Sequence, residues 1–210
     1  EPGSAAVELA GSAGLMAVSE QPRIDPRGEV ASQCDLTDRW MLVPQRSIGE
    51  DTSRIAMTAP KTWAYLVRHA ERLDRRRSSI YRNRPRFSVF GIGEYAFAPW
   101  KVAISGFYKR LDFCIVGRSH RKPTVLDDTA YFLPCRTRAE AVLLAELLHT
   151  QSAQEFLRSL IFWDAKRPIT AAILQRLDLL TLAAEHSRDL DQHRFVDLAG
   201  CDDVDGLLRE

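Results

Sequence analysis

With 210 residues, 45% of them apolar and 27% charged, the chain has the make-up of one good-sized globular domain with loose ends, not of a disordered or fibrous protein. Its formal charge is only +1, yet residues 61–122 hold fifteen Lys and Arg against four Asp and Glu, so the rest of the chain sums to about −10. Such polarisation marks one region for polyanionic partners, and no apolar run reaches the eighteen residues that would cross a membrane.

Residues 1–36 are rich in small residues, Gly and Pro, and they lack a basic stretch ahead of the apolar part. They read as a poorly ordered linker or cut edge, not as a signal peptide. Residues 38–44 (DRWMLVP) alternate as a strand ending at Pro44, and 48–58 read as polar loop. Pro60 suits a first helical turn. Trp63, Leu66, Val67, Ala70 and Leu73 then recur at helical spacing, which predicts an amphipathic helix of about four turns. Arg72 and the run Arg75, Arg76 and Arg77 fall at its end, where cations suit the negative pole of the helix.

From Phe87 the period becomes two. Segments 87–90, 101–104 and 113–116 read as strands, punctuated by Gly91, Gly93, Pro99 and Gly106. Segments 124–126 and 129–133 form a further pair of strands around Asp127 and Asp128. Helices follow: Thr137-x-x-Glu140 and Ser152-x-x-Glu155 are capping boxes, and Thr170 caps a third helix over 171–177. Residues 185–210 carry eight acids against three bases and read as a solvated tail. The predicted architecture is α+β: a central, mostly antiparallel sheet, one amphipathic helix before it and a helical cluster after it. Residues 37–184 form the predicted domain.

Several motifs yield no chemistry. Gly91-Ile92-Gly93 follows a predicted strand, but a dinucleotide loop needs a third glycine where Ala96 stands, and Pro99 interrupts any following helix. The pair reads as a tight turn. Asp127 and Asp128 would face opposite sides of a strand, so a turn in which Asp bonds its own backbone is the simpler role. His69, His120, His149, His186 and His193 lie far apart with no metal-ligand spacing. Cys34, Cys114, Cys135 and Cys201 form no CxxC pair, which points to a reducing cytoplasm without structural metal. No catalytic, cofactor or metal residue is assigned.

The basic-aromatic stretch differs. Arg82, Arg84 and Arg86 alternate with Tyr81, Asn83 and Pro85, which would put the three guanidinium groups on one side of an extended segment. Tyr95, Phe97 and Trp100 follow, then Lys101, Lys109 and Arg110. Guanidinium forks suit phosphate oxygens and guanine edges, and aromatic rings stack on bases. Candidate contacts to duplex DNA are therefore Arg82, Arg84, Arg86, Lys101, Lys109 and Arg110, with Tyr95 and Trp100 for stacking. A solvated basic face over an aromatic core, with Phe97 and Phe107 as core residues, is the alternative.

The same residues carry a resemblance. Tyr65-Leu66, Arg76-x-Ser78-Ser79-Ile80-Tyr81 and the strings FSVFGIGEYAFAPWKVAISGFYKRL, KPTVLDDTAYFLP and FLRSLIFWDAKRPIT resemble the site-specific DNA adenine-N6 methyltransferases of restriction-modification systems. The likeness spans about 40–180 and is to the target-recognition region that follows the catalytic domain. Those enzymes use an S-adenosylmethionine-binding domain and an Asn/Asp-Pro-Pro-aromatic loop for the flipped adenine. The nearest string here is Asn83-Arg84-Pro85-Arg86-Phe87, one proline short. The resemblance thus implies a fragment or subunit that recognises DNA for a catalytic domain in the same or a partner chain, with S-adenosylmethionine bound there. Two rivals are an enzyme in its own right and a protein-interaction module whose helices dock a methyltransferase or nuclease subunit.

Overall fold

The computed structural model describes residues 14–19, 40–119 and 121–186. In chain order its strands are β1 (Gly14–Ser19), β2 (Trp40–Val43), β3 (Trp100–Ser105), β4 (Cys114–Val116), β5 (Thr124–Leu126) and β6 (Ala130–Cys135). The helices are α1 (Ile55–Thr58), α2 (Pro60–Arg68), α3 (Ala70–Asp74), α4 (Arg138–Leu148), α5 (Gln151–Leu160), α6 (Ala171–Leu174) and α7 (Leu179–Glu185). The α+β class is as expected, with helices before and after the sheet formed by β3, β4 and β6.

That sheet is antiparallel in the order β4-β3-β6, Val102 standing opposite Ile115 and Leu133. A second sheet, β2-β1-β5, joins β1 antiparallel to β2 and parallel to β5. Strand β1 comes from the stretch that composition marked as poorly ordered. Its backbone partners lie far along the chain, where composition does not reach. The expected β5–β6 pair does not form: the two strands belong to different sheets, and Asp127 turns the chain between them. The Asp127 carboxylate accepts from the Thr129 N–H at 2.9 Å, the self-bonded turn expected of it.

Strand β3 is covered on both sides, and this explains its residue pattern. Val102 and Ile104 pack with Ala141, Leu144 and Leu148 of α4 and Leu157 of α5. On the opposite face Ala103 packs with Cys114 of β4 and Leu126 of β5, so the second sheet covers this side. Helix α4 is also shared: Leu143 and Leu147 turn to a further cluster with Ala153, Leu182 and Ala183. Each buried leucine contributes roughly 2 kcal/mol to holding these layers together.

Half of the first capping box forms: Thr137 Oγ1 accepts from the Glu140 N–H at 3.1 Å, while the buried Glu140 carboxylate accepts from the N–H of Arg136, one residue before the cap, at 2.6 Å. The second is displaced: Thr150, not Ser152, caps α5 by accepting from the Ala153 N–H, and Ser152 lies inside the helix. Thr170 caps only the short α6, after which Asp178 starts α7 by accepting from the Leu180 and Thr181 N–H groups. The expected four-turn helix near residue 60 is two, α2 and α3, broken at His69, and Val67 faces solvent. Most of the acidic tail lies outside the described residues.

Candidate nucleic-acid interface

The segment 81–91 is not a strand. A 3₁₀ turn at Ser79–Tyr81 continues through Arg82 in helical backbone geometry, with the Arg82 N–H bonded to the Ser79 carbonyl and the Arg84 N–H to the Tyr81 carbonyl. The Ser88 N–H bonds the Pro85 carbonyl. The expected alternation of Arg82, Arg84 and Arg86 on one side of an extended chain therefore does not occur. Pro85 and short local bonds favour turns over a ladder.

Side chains from elsewhere hold this loop by its backbone. Gln45 Nε2 donates to the Val89 carbonyl at 2.9 Å, and the Val89 N–H donates to Gln45 Oε1 at 2.8 Å. The Thr52 hydroxyl donates to the Arg86 carbonyl. Arg76 donates from Nε to the Leu73 carbonyl at 2.8 Å and from Nη1 to the Ser88 carbonyl at 2.6 Å, while its guanidinium lies 3.9 Å from the centre of the Tyr81 ring. Phe87 sits at the centre of these ties, 3% exposed, edge-on to Trp63 and at φ 67°. Left-handed geometry costs a bulky residue about 1–3 kcal/mol, and here the surrounding bonds and packing impose it. Gly91, at φ 71°, closes the turn as its residue type predicts.

The candidate contacts then separate into groups. Arg82 and Arg84 are exposed on the pinned loop, Arg84 reaching over the Gly49 backbone. Arg86 is exposed but engaged: it grips Asp74 through two bonds, 2.6 and 3.3 Å, and lies over the Phe87 ring. The Arg86 guanidinium holds the Asp74 carboxyl below its usual range. Lys109 and Arg110 are exposed on the β3–β4 loop, where Arg110 is 3.2 Å from Asp112. This loop also exposes Phe107 and Tyr108, so Phe107 is not a core residue; the Arg167 guanidinium lies over its ring.

Lys101 is a correction. It is 1% exposed, its ammonium donates to the Ala98 carbonyl at 2.8 Å, and burial lowers its pKa to about 8. It shares the inner face of β3 with Ala103 and so cannot reach a phosphate. The alternation along the strand holds, but both of its faces are covered. Trp100 is half-buried and packs against the main core, its ring so close to Gly117 that a Cβ there would lie 2.8 Å away. It is held inward, not presented for stacking. Tyr95 is half-buried, its hydroxyl donating to the Gly91 carbonyl at 3.1 Å.

Two concavities accompany these groups. One, of about 120 Å³, lies between Gln45, Tyr81, Arg84, Ser88, Phe90 and Tyr95. A second, of about 380 Å³, brings Arg158 and Trp163 beside Lys109 and Arg110. Sequence reasoning missed Ser88, Phe90, Arg158 and Trp163, because no linear spacing links them to the residues they join.

The glycine pair leads into a 3₁₀ turn, Glu94–Phe97, with no α-helix behind it to face a cofactor phosphate or carboxylate. The residues around it do not fit an S-adenosylmethionine loop. Among the described residues no cluster of three His, Cys, Asp or Glu could hold a metal ion, and no helix is long and apolar enough to cross a membrane. Cys114 and Cys135 are buried, their thiols donating to the Ala103 and Leu133 carbonyls at 3.3 and 3.5 Å.

With this geometry in place, the comparison with known proteins is informative. The chain is 50% identical over 152 residues to the type II methyltransferase M.NspV of Nostoc sp.. The match takes in 72% of this chain but 32% of that enzyme, so the chain spans about a third of the relative's length. It is related, over most of its own length, to part of a type II methyltransferase. No family model matches the chain, and no solved structure matches it significantly.

Proposed function

We propose that this chain recognises the target sequence in duplex DNA for an S-adenosylmethionine-dependent adenine-N6 methyltransferase of a restriction-modification system, whose catalytic domain lies outside these 210 residues. The observation that carries the reading is the exposure of Arg82 and Arg84 on a loop whose backbone is fixed by Gln45, Thr52 and Arg76. Cations on a preorganised loop can bind phosphates in a set register without ordering the chain at the moment of binding. Lys109, Arg110 and Arg158, around the second concavity, add a further electropositive surface. Phosphate contacts give sequence-independent affinity, and a few base-edge contacts select the site. The domain proposed to do this is 37–184. A methyltransferase must hold its duplex while one base leaves the stack, and such contacts serve that need.

The test is the salt dependence of duplex binding. Replacing Arg82 and Arg84 together by Ala should flatten the slope of log affinity against log salt by about two, at about 0.9 per phosphate. An unchanged slope removes these arginines from the interface.

A second reading, docking of a methyltransferase or nuclease subunit by the helical cluster, is favoured by Phe162 and Leu180, 70% and 65% exposed near α5 and α7. Under docking alone the double variant would leave the slope untouched.

A further inference from the structure

The concavity beside the pinned loop has an unusual lining. Tyr81, Phe90, Tyr95 and Ile80 supply apolar and ring surface, Arg84 a cation, and Ser88 a hydroxyl. Ser88 is 3% exposed, and its Oγ has no hydrogen-bond partner among the described residues. A buried hydroxyl without a partner costs free energy, and a native fold retains one where a ligand, ion or water completes it. The neighbouring backbone groups are already satisfied: the Ser88 carbonyl by Arg76 and the Val89 amide and carbonyl by Gln45. The hydroxyl is thus the unpaired polar group of this wall, its oxygen closed to water and met by a ligand only as the wall opens. About 120 Å³ is far below the volume of a drug-sized ligand site and suits one small planar ring.

We infer that this concavity takes a single unstacked nucleobase, its ring against the aromatic walls, a polar edge on Ser88 Oγ and the attached phosphate on Arg84. The ring surface accounts for stacking, the hydroxyl for a hydrogen bond to a base edge, and the guanidinium for the charge of a 5′-phosphate. The base comes from a locally opened duplex or from a free nucleotide. The first source rests on the DNA reading above; the second does not.

The test uses this chain with three probes: a fully paired duplex, the same duplex carrying a one-base bulge, and deoxynucleoside monophosphates alone. The bulged duplex should bind on the order of ten-fold more tightly than the paired one. Amide resonances of Ser88, Phe90, Gly91 and Tyr95 should shift with the bulge and not with the paired duplex. Phe90→Ala and Ser88→Val should each abolish the preference while leaving paired-duplex affinity in place. Phe90 is partly exposed, so its variant guards against misfolding of the Ser88 variant. Equal binding of the two duplexes, or a preference surviving in both variants, overturns the inference and leaves the DNA reading standing. If neither duplex binds but monophosphates shift the same resonances, the DNA reading fails and the site is one for free nucleotides. If no probe binds, both fail.

Discussion

The loop 81–91 and the sheet β4-β3-β6 solve the same problem, the pairing of backbone groups, in opposite ways. In the sheet the ladder supplies the partners, so side chains are free to fill space, and even an ammonium group is enclosed at Lys101. In the loop no ladder exists. Polar side chains from distant positions, Gln45, Thr52 and Arg76, bond the carbonyls of Val89, Arg86 and Ser88 instead. The sheet buries its cation; the loop leaves Arg82 and Arg84 outside. What separates the enclosed Lys101 from the exposed Arg82 and Arg84 is therefore the setting of the backbone, a ladder covered on both faces against a loop held from outside.

The largest effect should come from breaking the loop at its centre. Phe87→Ala removes the ring packed on Trp63 and should destabilise the fold by about 3–5 kcal/mol in urea denaturation. Because Phe87 sits at φ 67°, Phe87→Gly should cost less than Phe87→Ala, the reverse of the order at an ordinary buried position. If Gly proves worse than Ala, the strain assigned to this residue is absent.

In the sheet the corresponding probe is Lys101. Its native pKa of about 8 lies below the ordinary value of 10.5, so at neutral pH the folded state carries a charge it disfavours. Between these values the unfolded chain binds more protons, and stability rises with pH. The whole penalty is present below pH 8 and gone above 10.5, about 3 kcal/mol in all. Cys135, its thiol pushed up to about 12 by burial, acts in the opposite direction above pH 9. The difference between the wild type and Lys101→Met isolates the lysine: it should climb from pH 8 to 10.5, and a flat difference would place the ammonium in water.

The smallest effect sharpens the contrast within the loop. Arg86 already holds Asp74, so Arg86→Ala should change the salt slope of duplex binding by well under about 0.9, whereas single Ala variants of Arg82 and Arg84 should each approach that value. A full change for Arg86 would mean that it leaves Asp74 for a phosphate on binding.

Much of the fold was legible because it depends on neighbours in sequence. The Thr137 cap with Glu140, the Asp127 turn and the Gly91 bend each follow from contacts within a few residues. The sequence determined by itself where charge concentrates, the α+β class of the fold, and the relation to a methyltransferase region. The three-dimensional arrangement alone decided which cations are available. Lys101 became a core residue because the second sheet closes over its face of β3. Arg86 became engaged because α3 places Asp74 beside it. Ser88, Phe90 and Arg158 became candidates because the chain folds them against partners remote in sequence. Burial and pairing depend on what arrives from elsewhere in the chain, and one-dimensional spacing carries no record of that.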